Sequence, residues 1–436
     1  MQSSVLHSRI FETAYCLWSA RSPQMDVRRR LKRYTYGDQW CDLILNSDGR
    51  YITEYEQITS TGRTPLANNL IRRLVKSIIG RYRDMAEKSK WYDSSAQSID
   101  TVCELDELDS RLLEEFLISG MAIQRIADDS PFAPVHPSDF SKSCPDVINV
   151  PPPQFFCNDF RDPRGHDIEM IGMLHDMSPA EIRARFGHGN PETIAEIDRL
   201  LADNDTVAVP ASLSATAFYS APPGRVRIIE TWSRQYDNSG RISWQARWFS
   251  ASGKVLDSYP SPWAHGSHPF VVKFYPLTDG EVHSFVEDIV DQQHYINRLI
   301  QLMDRILATS AKGILLFPVH QKLKDMTWKD IADRWASTDS VLPIAGPSSE
   351  APRQVSSNGG DTNAYRLLEM QLKLFDQTSG VGSALLGGAS GAAERVTGIE
   401  HYQAQVENAT IALADIFSTF RSLIRHRNTK LNSLGR

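Results

Sequence analysis

The sequence predicts an α+β, mainly helical chain. Three observations carry that expectation. Apolar residues recur at helical spacing in the first third, short strand-like runs separated by prolines fill the middle, and long amphipathic segments return after Phe285. With 436 residues, 41% hydrophobic and 23% charged, the chain can bury a sizeable core across two or three domains.

In chain order, RRRLKRYTYGDQW (residues 28–40) is a basic helical end that runs into a Gly-Asp turn. After Pro65, Leu70, Ile71, Leu74, Val75, Ile78 and Ile79 fall on one helical face, with Arg72, Arg73 and Lys76 on the other. LDELDSRLLEEFLISGMAIQRIA, Leu105 to Ala127, reads as a further helix. From about Val135 the pattern shortens. VINVPPPQFFCNDFRDPRGHD, RVRIIETWSR and ISWQARWFSASGKVLDSYP read as strands, and the last two face each other as a hairpin about Asn238, Ser239 and Gly240. Between the first and second of these runs, SPAEIRARFG carries a helix start, with Ser178 as N-cap, Pro179 in the first turn and Glu181 completing a capping box. Val207 to Pro223, rich in Ala, Ser and Pro, is expected to be a loop.

A helix over Phe285 to Leu307 follows, with an apolar stripe of Phe285, Ile289, Ile296, Leu299, Ile300, Met303, Ile306 and Leu307. Glu287, Asp288, Asp291 and Asp304 place acidic charge off that stripe. GILLFPV is expected as a strand, TWKDIADRWA as a short helix and SVLPIAG as a second strand, with PSSEAPRQVSSNGGD as a polar linker. A helix from Asp361 to about Thr378 uses Leu367, Leu368, Leu372 and Phe375. The glycine-rich SGVGSALLGGASGAAER comes next, then a long helix from about Ala392 to Leu431. No internal repeat at solenoid periods is visible.

Charge narrows the functional classes. With 47 basic and 53 acidic residues the net charge is -6, so the whole chain is not a charge-neutralising DNA binder, and contact with DNA would be loose or local. Five scattered cysteines without CxxC spacing encode neither a zinc site nor a disulfide framework, which favours a reducing compartment. The N-terminal residues lack the apolar core of a signal peptide, and no apolar run is long enough for a bilayer. A soluble protein made in the cytosol is expected.

The glycine-rich stretch admits three readings. As a phosphate loop it lacks the lysine followed by Ser or Thr, and it lacks a preceding strand. As a nucleophile elbow about Ser390 it lacks a clear strand before the turn, and His401 falls inside the following helix. An interhelical loop fits every residue. His265 and His268 are three apart but flanked by prolines, which rules out a helical metal pair. Acidic pairs such as Glu114-Glu115 and Asp128-Asp129 read as solvated helix faces. The basic runs Arg28, Arg29, Arg30, Lys32, Arg33 and Arg421, Arg425, Arg427, Lys430 suit either nucleic-acid contact or a solvated or interface-pairing helix end. No catalytic constellation, cofactor motif or metal set emerges.

Several patterns, in order over nearly the whole chain, resemble the portal proteins of tailed double-stranded DNA bacteriophages, closest to those of short-tailed phages. YGDQW resembles the family's aromatic-Gly-x-Gln-Trp element, and the Asn68-to-Gly80 helix is similar to its N-x-I/L...V...G segment. VPPPQFFCNDFRDPRGHD and RVRIIETWSR look like two of its strands. HPFVVKFYPLTDGEVHSFVEDIVDQQHYINRLI resembles its Pro-hydrophobic strand and D-x-Q-x-x-x-N helix, carried here by Asp291, Gln293 and Asn297. SGVGSALLGGASG is similar to its S-G-I/V...L-x-G...S-G segment.

The resemblance implies a portal fold: a wing over 1–280, stem helices over 281–310 and 361–379, an inserted α/β clip over 311–360, and a tunnel loop over 380–395. A C-terminal wing helix over 396–436 would end in little or no crown. It implies a homo-oligomeric ring, usually a dodecamer, at one vertex of the virion capsid, through which double-stranded DNA passes without sequence-specific binding in packaging and ejection. Gly380, Gly382, Ser383, Gly387, Gly388, Ser390, Gly391 and Arg395 would line the channel, and Glu287, Asp288, Asp291 and Asp304 would form an acidic stem face. Lys322, Lys324, Trp328, Lys329 and Trp335 would dock the terminase large subunit and then the head–tail adaptor or tail proteins. The major capsid protein and scaffold are further implied partners. No enzymatic activity, cofactor, metal or membrane is expected. The other readings are a serine hydrolase-like enzyme using Ser390 and a different ring-shaped head–tail adaptor.

Overall fold

The computed structural model describes residues 2–90, 105–127, 146–186, 194–196, 198–199, 216–236, 240–263, 265–310, 314–336, 343–345, 351–355, 361–381 and 398–434. The chain divides into two units. The first holds Met1–Cys41, Leu70–Val290 and Ser379–Arg436, and the second holds Asp42–Asn69 and Asp291–Thr378.

The first unit is built on an antiparallel sheet in which sequence neighbours pair: Phe155–Cys157, Met170–Met177, Val226–Tyr236, Ile242–Ser250 and Val255–Pro260. The expected hairpin is present, with Tyr236 opposite Ile242. Its turn residues Asn238 and Ser239 lie outside the described residues. The central strand is buried on seven successive residues, Val226 to Trp232, because both faces of the sheet are covered. Met25, Phe155, Ile171, Trp232, Trp244 and Phe270 pack one face. Ala14 and Trp18 of the N-terminal helix cover the other, with Phe156, Leu174, Ile229 and Phe249. Gly172 makes the strand approach possible, since a Cβ there would sit 2.1 Å from the Glu230 carbonyl oxygen and 2.5 Å from the Phe156 ring.

The helix expected through Ala127 ends at Ser119, and Met121–Ala127 is a strand between Phe270–Phe274 and Asp146–Asn149. Gly120 makes the break. Its φ is +70° and a Cβ would lie 2.7 Å from the Tyr275 carbonyl oxygen. Each residue from Met121 to Ile126 is buried, so the strand shows no alternation that could separate it from a helix.

The expected helix over Asn68 to Arg83 is Leu70–Lys90, and its inward residues Ile71, Leu74, Val75 and Ile78 are at most 1% exposed. The capping box at Ser178 forms as expected: Ser178 N–H donates to Glu181 and Glu181 N–H to Ser178 Oγ. The loop expected over Val207 to Pro223 contains the short helix Thr216–Tyr219, with its first part outside the described residues. The C-terminal helix, Gly398–Leu434, buries Leu413, Ile416, Phe417, Phe420 and Leu423. Phe420 packs edge-on to Tyr82 at 5.4 Å.

In the second unit, the Leu43–Leu45 and Tyr51–Thr53 hairpin leads into the helix Glu54–Ser60, whose start carries a Thr53/Glu56 capping box. Gln293 and Asn297 of the helix Glu287–Ser310 are fully buried and bond the Asn68 backbone at 2.7 and 3.1 Å. The strand expected over SVLPIAG is not seen: Pro343 to Ala345 carry no strand, and 340–342 and Gly346 lie outside the described residues. Ile314–Leu316 pairs instead with Arg353–Val355, inside the stretch expected as a polar linker. Proline cannot donate to a ladder, whereas Arg-Gln-Val can.

Candidate DNA conduit and docking surfaces

The helix Asp361–Ser379 buries Phe375 to 3% exposure, while Leu367, Leu368 and Leu372 are only half-buried. It ends where Gly380 takes φ +64°, the left-handed geometry that terminates helices cleanly. Ser379 Oγ then accepts the Val381 N–H at 3.3 Å, and Val381 is completely buried. The glycine-rich stretch therefore begins from an anchored end. Of its expected channel-lining set only Gly380 is described; Gly382, Ser383, Gly387, Gly388, Ser390, Gly391 and Arg395 lie outside the described residues.

Glu287 caps the next helix. Its carboxylate accepts the Ser284 N–H at 3.1 Å, and its own N–H donates to Ser284 Oγ at 3.1 Å. Asp288 is exposed; partial burial raises its carboxyl pKa and the Glu287 charge adds to the rise, opposed by His283. Asp291 and Asp304 are exposed too, but at ~100° per residue they point ~140° apart around the helix. Asp291 shares its side with Tyr295, Arg298, Leu302 and Arg305, so these acids do not form one continuous stripe.

Of the residues expected to dock partners, Lys322 lies beside the Trp328 ring. Trp328 is 49% exposed, with Phe317 edge-on at 6.0 Å and the Lys322 ammonium 5.7 Å from its centre. Thr327 and Asp330 cap the helix Trp328–Ala336, fixing where Trp328 projects. Ile331 is the inward residue, Trp335 is half-buried, and Lys324 and Lys329 are exposed. Val319 and Leu316 are also 76% and 55% exposed.

Members of the first basic run make ion pairs within the chain, one of them between helices. Arg28 forms a two-pronged pair with Glu115, Arg33 binds Asp38, and Arg29 binds Asp26. Near the C-terminus, Arg427 pairs with Asp109, and the Lys430 ammonium donates to the His268 and Phe270 carbonyls at 2.8 Å each. Burial pushes Lys430 down to about 7. Burial, reinforced by the Lys430 charge, holds His265 and His426 at about 4 and His268 well below its ordinary range.

Two features escaped sequence reasoning. Glu230, fully buried, accepts both prongs of Arg125 at 2.9 and 3.1 Å, the Trp232 indole N–H at 2.9 Å, and contacts His175 Nε2 at 2.7 Å. Burial alone would raise its carboxyl, but Arg125 and His175 hold it below the usual range. The second is an exposed apolar face on the Leu43–Thr53 hairpin. Among the described residues no group of three metal-ligating side chains converges.

A sequence profile described as phage P22-like portal protein matches residues 17–435, nearly the entire chain. The chain belongs to this portal family. No curated protein matches it. Portal membership makes it a structural head–tail connector protein of a bacteriophage, acting in DNA packaging. The family implies a homo-oligomeric ring at the capsid vertex that meets capsid and packaging proteins. No described helix is long and apolar enough to cross a membrane, and Ser390, the expected nucleophile of the hydrolase reading, lies outside the described residues.

Proposed function

We propose that the chain forms a dodecameric ring at one capsid vertex, a conduit for double-stranded DNA during packaging and ejection. The observation that carries this reading is the portal-family match over 17–435. Residues 1–280 act as the wing, 281–310 and 361–379 as the stem, 311–360 as the clip, 380–395 as the tunnel loop and 396–436 as the C-terminal wing helix. Leucines that remain half-buried in the helix Asp361–Ser379 are consistent with a face completed by neighbouring copies. The net charge of -6 suits a channel that lets phosphates slide.

The surface about Trp328, with Lys322, Lys324, Lys329 and Trp335, receives first the terminase large subunit and later the adaptor or tail proteins. Phage lacking this chain should build capsids that contain no DNA. DNA-filled heads in its absence would defeat the proposal.

A further inference from the structure

The last turns of the C-terminal helix Gly398–Leu434 are held more by charge than by apolar packing. Leu413, Ile416, Phe417, Phe420 and Leu423 are buried, but between Leu423 and Ser433 the buried side chains are Arg427, Lys430 and Leu431. Arg427 is bound by Asp109. Lys430 has a different seat. Its ammonium donates to the His268 and Phe270 carbonyls at 2.8 Å each. Among the described strands, Phe270–Phe274 lies at one edge of its three-stranded sheet. Successive carbonyls of an extended chain point to opposite sides. The Pro269 carbonyl accepts the Ile126 N–H from the neighbouring strand, so the two carbonyls that Lys430 covers face outward from the edge.

Two histidines beside this ammonium are held in the neutral form by their hydrogen bonds. His268, 8% exposed, accepts the Phe270 N–H on Nδ1 at 3.2 Å, and His265 accepts the Ser267 N–H on Nδ1 at 3.0 Å. A protonated imidazole carries a hydrogen on both nitrogens, so charging either ring removes an acceptor and sets donor against donor. Trp244 lies edge-on to His268 at 4.7 Å, and Trp263 stacks on His265 at 5.5 Å. Most charges facing the cluster share one sign. His426 stands one turn before Lys430 on the helix, Lys273 comes from the edge strand, and His166 from the turn before Met170–Met177. Asp162, near Lys273 and His166, opposes them, while Asp109 is engaged by Arg427.

We infer that His265, His268 and Lys430 form a proton-operated latch, which holds the end of the C-terminal helix on the edge strand at neutral pH and releases it in mild acid. The direction follows from the surroundings. Burial and the Lys430 charge lower both rings, His265 to about 4, from the ~6.5 of a solvated histidine. The closed latch therefore binds fewer protons than the open one, and opening is favoured as pH falls below ~6.5. His426 is exposed, so water screens its share. The release is local, because segments with few buried apolar contacts open well below the global unfolding free energy. Opening uncovers the outward carbonyls of His268 and Phe270 and leaves the sheet folded.

Hydrogen–deuterium exchange of the full-length protein at pH 7.5 and pH 5.5, corrected for intrinsic exchange rates, tests the latch. Amides from Ile424 to Leu434 should lose about tenfold in protection in acid for each of the two rings that gains its proton on opening. Those of Val226 to Trp232, in the central strand, should keep theirs. A His265→Gln, His268→Gln variant should hold its pH 7.5 protection at pH 5.5. If that variant misfolds, Lys430→Met gives the second reading. Its helix end should be less protected at pH 7.5, since the carbonyl bonds are gone, and should change less between the two pH values. Equal protection of the helix end at both pH values in wild type would overturn the latch. So would a loss shared equally by the central strand, or an undiminished acid response in a folded variant.

Discussion

Glu230 shows how a single residue can set the character of a sheet. A buried carboxylate is costly unless cations and donors surround it, and here Arg125, His175 and Trp232 converge on it. Removing one partner of such a buried pair typically costs ~3–5 kcal/mol, whereas an exposed pair such as Arg111 with Glu107 is screened by water and adds little. The histidines that feel the Lys430 charge give a pH prediction. His265, His268 and His426 have native pKa values below their unfolded value near ~6.5, so the native state binds fewer protons. Stability should therefore fall as pH drops from ~6.5 toward 4. Lys430, lowered to about 7, adds a fall from high pH toward neutrality, and Glu230 adds a further loss at lower pH as it becomes protonated. Thermal melts at pH 7 and pH 5 should show a lower midpoint at pH 5, and a His265→Gln, His426→Gln variant should flatten that difference. An unchanged midpoint would contradict this assignment.

At the scale of elements, Trp328 is the anchor of the candidate docking surface, since its ring is fixed by Phe317, Lys322 and the Thr327/Asp330 cap yet half exposed. Loss of a central aromatic anchor typically costs ~2 kcal/mol or more of binding, ~30-fold in affinity. Trp328→Ala should weaken titration against purified terminase large subunit by about that factor, with ring mass unaltered; equal affinity would refute the role. Elements with one buried face were legible in the sequence. The helix Leu70–Lys90 announces itself through Ile71, Leu74, Val75 and Ile78, and the helix after Ser178 through its cap. Two elements without a single buried face were misread. The strand Met121–Ala127 is buried at every residue from Met121 to Ile126 and mimicked a helix, while Arg353–Val355 is a polar strand that only its pairing with Ile314–Leu316 reveals. Of the candidate site, the glycine-rich segment stands out in the sequence but lies almost wholly outside the described residues, and the Lys/Trp set was implied only by the family resemblance. The Arg125–Glu230 pair could not be read, because its members are 105 residues apart.

For the whole molecule, the central claim is that a mixed α+β chain of portal type closes into a ring around DNA. Its acidic balance argues against tight phosphate binding, and the half-buried leucines of the helix Asp361–Ser379 are consistent with neighbouring copies. Charge and composition alone carried no sign of this role; the order of weak motifs along the chain did. Native mass measurement combined with negative-stain imaging tests it most directly. The predicted result is a closed ring with a central hole and a mass near that of a dozen 49.1 kDa subunits. A single 49.1 kDa species at every concentration and salt would contradict it.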